Sequence, residues 1–384
     1  MTDSPRSASA TGPASTSSPL RVLHFVTGGF SGATQVAVDL AASGAQEAGM
    51  QTLLVLRSKR STEAARVQAL RDRGLDVELV PGWSHLATLW ALWRVCQRWQ
   101  PHLLVAHGFP EHLLGRWAGW WARVPLLVQV EHNSRERYSP WKLWQARRLS
   151  LHSARLVGVS EGVRQQLLKL GMPAEKTQAI PNGVNLAPFA VAGERDWAQR
   201  QPGIVMSARF ARQKDHLTLL RALALLKARG LRPSLLLAGS GKPGYRRRAE
   251  AEAARLGLRD QVQFLGHHAG MPELLMSQRI CVLATHYEGM PLALVEGMAA
   301  GCACVASDVA GVSEVLQSGH TGLLVPENDA QALADALQKV LEDEDFGARL
   351  GRAARERALQ EHGLDLMRQR YAALFRSLAA QLSR

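Results

Sequence analysis

The chain has 384 residues, of which 46% are hydrophobic and 21% charged, and its formal net charge is +13. At roughly 150 residues per domain, this length indicates two domains, each large enough to fold without disulfides or a structural metal. The four cysteines show no C-x-x-C spacing, which excludes a zinc ribbon or a thioredoxin-type redox site. The positive charge indicates an anionic partner, such as nucleic acid, an acidic lipid surface or a phosphorylated substrate.

The first 20 residues are rich in Ser, Ala, Thr and Pro and lack the apolar core of a secretory signal. This composition predicts a disordered tail over residues 1–20. No part of the sequence reaches the ~18 consecutive apolar residues of a membrane span. We therefore expect a cytoplasmic protein.

From residue 21 onward, strand-length apolar runs alternate with helix-length amphipathic stretches. This alternation is typical of α/β domains with a parallel sheet covered on both faces. It breaks once and then resumes. The predicted organisation is an N-terminal Rossmann-like domain over 21–185, a linker over 186–202, a C-terminal Rossmann-like domain over 203–362 and a final helix over 363–384 that packs back on the N-terminal domain.

Two doubly wound domains joined by one linker leave a cleft between them. Ligands of such sheets bind at the carboxyl ends of the strands. Functional side chains are therefore expected directly after predicted strands, facing the cleft.

The segment 285–296, THYEGMPLALVE, directly follows a predicted strand. Gly289 and Pro291 mark the start of a helix in it. Glu288 then lies in the loop at the helix mouth, and Glu296 lies about 8–9 Å further along the axis at ~1.5 Å per residue. Spacing alone leaves open that Glu288 only caps the helix and that Glu296 is a solvated surface residue.

Free backbone N–H groups of residues 290–292, at the start of the helix, are expected to point between these two carboxylates. A helix N-terminus of this kind favours phosphate binding. A diphosphate in that position, with a hydroxyl partner on each side, would suit a nucleotide sugar. The hexose would then contact Glu288 and the ribose Glu296.

The run EGMPLALVE, followed by GMAAGCACVASDVAGVSEVL and GLLVPENDAQALADAL, resembles the retaining family 4 glycosyltransferases over most of residues 21–380. The resemblance implies a GT-B fold, in which two Rossmann-like domains face a central cleft, with the acceptor on the N-terminal side and the nucleotide sugar on the C-terminal side. It also implies that Glu288 contacts hydroxyls of the donor sugar and that Glu296 holds the ribose. The donor-binding positions at this helix start would be Gly289, Met290, Pro291 and Leu292.

Two cations follow the first predicted strand of the second domain, in the stretch SARFARQKD. Arg209 and Lys214 would lie opposite the helix start, where they can neutralise a departing diphosphate. The family has a similar Arg and Lys pair that binds the donor diphosphate. Arg212, between them, is expected to face solvent, and an ordinary basic loop remains the alternative.

Three further donor contacts come from the resemblance. Gly239 belongs to the Gly-rich turn AGSGKP, and His267 follows the next predicted strand, in the stretch that meets the base in the family. Gly32 lies in the turn TGGFSGAT, which approaches the donor phosphate. This turn has Thr34 where the family commonly has Glu. No acidic residue ends the second strand, so binding of NAD is disfavoured.

Two histidines, His107 and His132, end predicted strands of the first domain. In the family, a His at the position of His132 lies beside the reacting sugar. The predicted catalytic residues are therefore His132, Glu288, Arg209 and Lys214, with His107 on the acceptor side. A buried structural histidine is the alternative for both.

No His, Cys, Asp or Glu cluster has the spacing of a metal site, so the sequence predicts no metal and no cofactor besides the nucleotide sugar. The cations Arg209 and Lys214 can stabilise the leaving group instead. A metal-independent enzyme is expected.

Nine of the ten tryptophans lie within residues 83–148, together with nine Lys or Arg and three Glu. Tryptophan with arginine is the composition of a lipid headgroup interface, so we expect this region to bind an anionic membrane from the cytoplasmic side. The alternative is ordinary core packing, because Trp90 and Trp93 share a helix face beside Leu86.

These features predict a retaining glycosyltransferase that moves a hexose from a nucleotide diphosphate sugar, best matched by a UDP-sugar, to a polyprenyl-linked, lipid-linked or cell-surface glycan in polysaccharide or lipopolysaccharide synthesis. A sugar-nucleotide epimerase of the same fold is the first alternative. A non-enzymatic protein that binds nucleic acid is the second, although no helix-turn-helix, RNP or zinc pattern is present in the sequence.

Overall fold

The computed structural model describes residues 19–47, 49–60, 62–135 and 138–382. Of the predicted tail over 1–20, positions 1–18 lie outside the described residues, and Leu20 already begins the first strand.

The N-terminal domain contains, within the described residues, seven strands: β1 (Leu20–Thr27), β2 (Met50–Arg57), β3 (Val77–Val80), β4 (Leu103–His107), β5 (Leu126–Glu131), β6 (Arg155–Gly158) and β7 (Thr177–Ala179). Its helices are α1 (Gly32–Gln46), α2 (Ala64–Asp72), α3 (His85–Trp99), α4 (Glu111–Trp121), α5 (Pro140–His152) and α6 (Glu161–Lys169). All pairs of neighbouring strands are parallel, in the order β3-β2-β1-β4-β5-β6-β7. The order reverses at β1, so β1 and β4 flank the point where ligands bind in such sheets.

The C-terminal domain has the strands β8 (Gln201–Ser207), β9 (Leu235–Ala238), β10 (Val262–Gly266), β11 (Gln278–Leu283), β12 (Ala303–Ser307) and β13 (Leu323–Val325). Its helices are α7 (His216–Ala228), α8 (Pro243–Arg255), α9 (Met271–Ser277), α10 (Leu292–Ala299), α11 (Ala330–Glu342) and α12 (Glu344–Glu361), followed by α13 (Leu364–Ala379). This sheet is also parallel, in the order β10-β9-β8-β11-β12-β13. The prediction of two doubly wound α/β domains is confirmed.

The central strands are apolar almost throughout because helices cover both faces of each sheet. Strand β4, LLVAH, is buried at every position. Polar side chains interrupt this pattern in the N-terminal sheet. They include His24 in β1, His107 at the end of β4 and Gln129 in β5, and all three are fully buried.

The structure differs from the predicted elements at short or irregular segments. Strands β7 and β13 were not expected, since each has three residues and is paired by a single neighbour at the edge of its sheet. The predicted linker contains short 3-10 turns over Ala187–Glu194 and Trp197–Gln199, and β8 begins at Gln201, before the predicted boundary.

The last helix, α13, packs against α1 of the N-terminal domain. Arg376 of α13 forms an ion pair with Glu47 at 3.1 Å. Just before α13, the chain pairs with Val184, whose N–H donates to the His362 carbonyl and whose carbonyl accepts from the Leu364 N–H, both at 2.9 Å. The chain therefore crosses between the domains twice.

The two domains also touch across the cleft. The Ser134 hydroxyl donates to the Glu288 carbonyl at 2.6 Å. Glu314, in the loop after β12, accepts the N–H groups of Glu161 and Gly162 at 2.7 and 2.6 Å. A carboxylate of one domain thus lies at the N-terminus of helix α6 of the other, where the helix dipole favours a negative charge.

We expect Glu314→Ala to weaken this contact by about 1 kcal/mol, since it removes a carboxylate from a helix N-terminus. The domains should then sample more open arrangements, which single-molecule energy transfer between dyes on the two domains would detect. Glu356→Ala, which removes an exposed carboxylate from α12 of the same domain, is the matched control. An unchanged distance distribution in Glu314→Ala would contradict this role.

Candidate active site

A cavity of about 910 Å³ lies between the domains at the carboxyl ends of the strands. Every predicted site residue except Glu296 lines it, which brings together His107, His132, Gly32, Arg209, Lys214, Gly239, His267, Glu288, Gly289, Met290, Pro291 and Leu292. The loops after β1, β4 and β5 form one wall, and those after β8, β9, β10 and β11 form the other. This placement follows from the parallel sheets, whose carboxyl ends face each other.

Glu288 and Lys214 form an ion pair, which joins two groups that the sequence analysis treated separately. Both side chains are largely buried. The Thr285 hydroxyl donates to the same Glu288 oxygen at 2.7 Å. Glu288 does not act as the cap of α10, whose N-cap is Pro291 without a side-chain cap hydrogen bond. The carboxylate is therefore held at the end of β11 by a cation from the loop after β8.

Arg209 follows β8 and lines the same wall as Lys214. Its side chain is exposed to the cavity and forms no hydrogen bond or ion pair with the described residues. Its guanidinium is therefore available for an anionic ligand. Arg212 is exposed and does not line the cavity, as the sequence analysis expected.

Gly239 has a φ of 147°, and a Cβ at this position would overlap the Ala208 carbonyl. Its N–H donates to the Gly266 carbonyl at 2.7 Å. Only glycine fits where the ends of β8, β9 and β10 converge, so the backbone itself forms this part of the wall.

The expectation of free N–H groups over residues 290–292 was wrong for two of the three positions. The Leu292 N–H donates to the Met290 carbonyl at 3.1 Å, and Pro291 has no N–H. Next to them, a Cβ on Gly289 would overlap the carbonyl of His132 in the opposite domain. The donor-side loop and the His132 loop are therefore in direct backbone contact.

Glu296 does not line the cavity. It lies within α10, and burial raises the pKa of its carboxyl group to about 7. Its side chain is half-buried, which favours neither full solvation nor a place in the core. Its contact with a ribose stays a prediction.

His132 faces the cavity, and its ring extends into a buried row of imidazoles. Its Nε2 lies 3.3 Å from Nδ1 of His107, whose Nε2 lies 3.2 Å from Nδ1 of His24. Burial lowers the pKa of His24 and of His132 to about 3 and places the pKa of His107 well below its usual range. All three rings are thus neutral near pH 7. His107 contacts His132 and also lines the cavity, and its place on the acceptor side stays a prediction.

The N-terminal wall has a charged part that the sequence did not predict. The Glu111 carboxylate forms ion pairs with Arg57 at 3.4 Å and with Lys59 at 3.3 Å. Arg66 lies over the ring of Phe30, 5.4 Å from its centroid. Lys59 follows β2, so the rule of strand ends could have found it, and Arg57 is the last residue of that strand. Other polar lining residues that were not predicted include Glu63, Asn133, Gln213, Ser240 and His268.

Both domains match known family models. Residues 31–183 match the glycosyl transferase 4-like domain, and residues 193–357 match the glycosyl transferases group 1 model. Together the two matches support a glycosyltransferase of the group 1 type. The enzyme is thus of the transferase class, and its two facing Rossmann-like domains form the expected GT-B fold.

Relatives with known names support this assignment. Phosphatidyl-myo-inositol mannosyltransferase of Mycolicibacterium smegmatis is 34% identical over 207 residues, which are 52% of each chain. The UDP-Gal:alpha-D-GlcNAc-diphosphoundecaprenol alpha-1,3-galactosyltransferase of Escherichia coli is 25% identical over 275 residues, 67% of this chain and 71% of that protein. The glycosyltransferase thus spans about half the length of the first relative and nearly three quarters of the second.

Among solved structures, Anabaena HepE in complex with UDP and glucose superposes with a TM-score of 0.81 at 21% identity. The match covers 93% of this chain and all of HepE. At this identity the similarity establishes the fold.

The raised pKa of Glu296 gives stability a defined pH dependence. The folded state holds this proton up to about pH 7, while the unfolded state releases it near the ordinary value of 4.5. The unfolded state therefore binds fewer protons in this window, and the free energy of unfolding falls as the pH rises through it. Glu296→Gln should remove this contribution.

Urea unfolding of wild type and Glu296→Gln, at about pH 4.5 and about pH 8, measures the difference. The variant should lose less stability than wild type on going to the higher pH. Glu356→Gln, at an exposed position of α12, should behave like wild type. Equal slopes for Glu296→Gln and wild type would show that Glu296 titrates normally.

Proposed function

We propose that this glycosyltransferase is a retaining enzyme that moves a hexose from a nucleotide diphosphate sugar, a UDP-sugar, to a lipid-linked or cell-surface glycan in polysaccharide or lipopolysaccharide synthesis. The observation that carries the proposal is the paired Lys214 and Glu288 beside the unpaired Arg209, on the wall opposite His132. Relatives and structural neighbours that use UDP or UDP-sugars support it.

The charges of the C-terminal wall suit a diphosphate. Lys214 already compensates the charge of Glu288, whereas Arg209 has no counter-charge among the described residues. A guanidinium binds two phosphate oxygens at once, which favours Arg209 as the principal phosphate ligand. Lys214 can contact phosphate with one N–H while it keeps Glu288 with another, since an ammonium carries three donors.

In the proposed reaction, the bond between the sugar anomeric carbon and the diphosphate oxygen breaks, and its electron pair leaves with the diphosphate. Arg209 and Lys214 stabilise this negative charge. We propose a metal-independent enzyme because these cations can serve the leaving group. Glu288 accepts hydrogen bonds from sugar hydroxyls, and the buried Thr285 fixes its orientation.

Retention follows if the acceptor hydroxyl attacks on the face from which the diphosphate leaves and passes its proton to the departing diphosphate oxygen. The carboxylates that line the cavity among the described residues are Glu63, Glu111 and Glu288, and all three form ion pairs. None of them is placed as an unpaired nucleophile, so we propose no covalent glycosyl-enzyme intermediate.

Lipid-linked acceptors are supported by an exposed aromatic surface. Helix α3 packs against α4, and α4 packs against α5, so the three helices lie side by side on one face of the N-terminal sheet. The large apolar side chains that are exposed on or beside these helices, which we group under the term tryptophan face, are Trp83, Leu86, Trp90, Trp120, Trp121, Trp141, Trp144 and Leu151. The alternative of core packing is confirmed for Leu89 and Trp93, which pack against the core, and is wrong for Leu86 and Trp90, which are 79% and 60% exposed.

Basic side chains accompany the tryptophan face. Arg94 lies over the ring of Trp90, 5.0 Å from its centroid, and Arg98, Arg123 and Lys142 lie on or next to the same helices. Amphipathic aromatic rings with cations favour the headgroup region of an anionic bilayer. Within the described residues, every helix is too short or too polar to span a bilayer. We therefore propose peripheral binding at the inner face of the cytoplasmic membrane.

The two other candidates make different predictions. A sugar-nucleotide epimerase would convert the donor without an acceptor, which product analysis detects. A protein that binds nucleic acid would shift a labelled duplex at physiological salt.

Purified protein should transfer sugar from a UDP-sugar to a lipid-linked saccharide, and the product should keep the anomeric configuration of the donor, which nuclear magnetic resonance measures directly. Lys214→Ala and Glu288→Gln should each lower turnover by about 100-fold, the scale of losing one charge-stabilising contact in an active site. Arg212→Ala, a neighbouring cation outside the cavity, should keep wild-type turnover. Wild-type turnover in both site variants would refute the assignment.

The double variant Trp83→Ser/Trp90→Ser should reduce co-sedimentation with phosphatidylglycerol vesicles roughly tenfold, since two anchoring rings are lost. Added salt should also weaken the binding of the wild-type protein to the vesicles, because part of this interaction is electrostatic. Leu359→Ser removes a 46% exposed apolar side chain from α12 and serves as the control. Equal sedimentation of the double variant and wild type would argue against docking by this face.

A further inference from the structure

The row of three histidines runs from the cavity into the interior of the N-terminal domain. His24 lies in the middle of β1, His107 ends β4 and His132 follows β5. These strands are neighbours in the sheet, which places the rings in sequence. At the inner end, the ring of Phe375 on α13 lies 6.0 Å from that of His24.

Each neutral imidazole has one N–H donor and one acceptor nitrogen. A row of three neutral rings joined by two hydrogen bonds therefore has two possible directions. In one direction, Nδ1–H of His24 donates to His107 and Nδ1–H of His107 donates to His132. In the other direction, both hydrogen bonds are reversed.

The two directions leave different groups without a protein partner. The first leaves the Nδ1–H of His132. This group is not a fully buried atom without a partner, and His132 lines the cavity. The second leaves an N–H on Nε2 of His24, which is buried and has no hydrogen-bond partner. Orphaned N–H donors are rarer in protein interiors than under-used acceptors, so the first direction is favoured. The Phe375 ring offers only a weak partner to such an N–H.

The main chain of His132 is already held in place. Its N–H donates to Glu131 Oε1 at 3.0 Å. Its carbonyl is packed against Gly289 of the other domain, where a Cβ would overlap it. The remaining freedom is the rotation and the tautomer of the ring, and the hydrogen bond with His107 restricts both.

We propose that His24 and His107 are positioning residues that hold His132 as its Nδ1–H tautomer, so that it presents a neutral N–H donor to a sugar hydroxyl in the cavity. The sugar rests on the proposed function, whereas the tautomer does not. In this state His132 donates a hydrogen bond to the substrate and does not accept a proton from the acceptor.

His24 is suited to test this chain of contacts, because it does not line the cavity. His24→Leu removes the donor to His107. His24→Asn is the rescue variant, since its amide N–H can replace the Nδ1–H donor of the imidazole at a similar distance from the main chain.

The experiment records nitrogen-15 spectra of the imidazoles in the full chain, with His132 identified through His132→Gln. The inference requires a protonated Nδ1 and an unprotonated Nε2 on His132 in wild type. His24→Leu should populate the opposite tautomer and lower turnover about tenfold, the scale of one neutral hydrogen bond. His24→Asn should restore both.

An Nε2–H tautomer of His132 in the wild-type protein would overturn the inference, and this readout is available even if His24→Leu fails to fold. An unchanged His132 tautomer in folded His24→Leu would also overturn the positioning role. Absence of sugar transfer, with the expected tautomers present, would count against the proposed function alone. The two failures are therefore distinguishable.

Discussion

The ion pair between Lys214 and Glu288 is the constraint on which the C-terminal side of the cleft depends. Both side chains are largely buried, and a buried carboxylate without a counter-charge is strongly unfavourable. The pair therefore ties the loop after β8 to the loop before α10, although the two residues are 74 positions apart in the sequence. These loops also carry Arg209 and Gly289, so one interaction arranges the phosphate-binding cation and the contact with the opposite domain.

The residues that form the cavity also hold the domains together. Glu288 provides its carboxylate to the cavity and its carbonyl to Ser134, and Gly289 lies against the main chain of His132. Ligand binding on one wall is therefore coupled to the position of the other wall. Glu314 adds a contact at α6 that is outside the cavity, which lets closure be altered without a change in the ligand-binding residues.

The fold was predictable because alternating apolar runs are a local property, whereas the paired edge strands β7 and β13 depend on neighbours far along the chain. Glu288 and Lys214 could be predicted one by one from their positions after strands, but their ion pair could not. His24 was not predicted because it lies inside an apolar strand and not at its end. The one signal was the presence of a polar residue within an otherwise apolar run. Leu86 and Trp90 show that helical periodicity identifies an apolar face of a helix. It does not show whether that face packs in the protein core or is exposed. Glu296 has the expected helical position but does not line the cavity.

The double crossing of the chain between the domains has a consequence for the integrity of the enzyme. Segment 186–202 makes the first crossing, and the pairing of Val184 with residues 362–364 makes the second, after which α13 packs on α1. A peptide-bond cut in the first crossing would leave a C-terminal fragment whose last helix is still docked on the N-terminal fragment. The two fragments would stay associated through these non-covalent contacts, so the enzyme is suited to reconstitution from two separately produced halves.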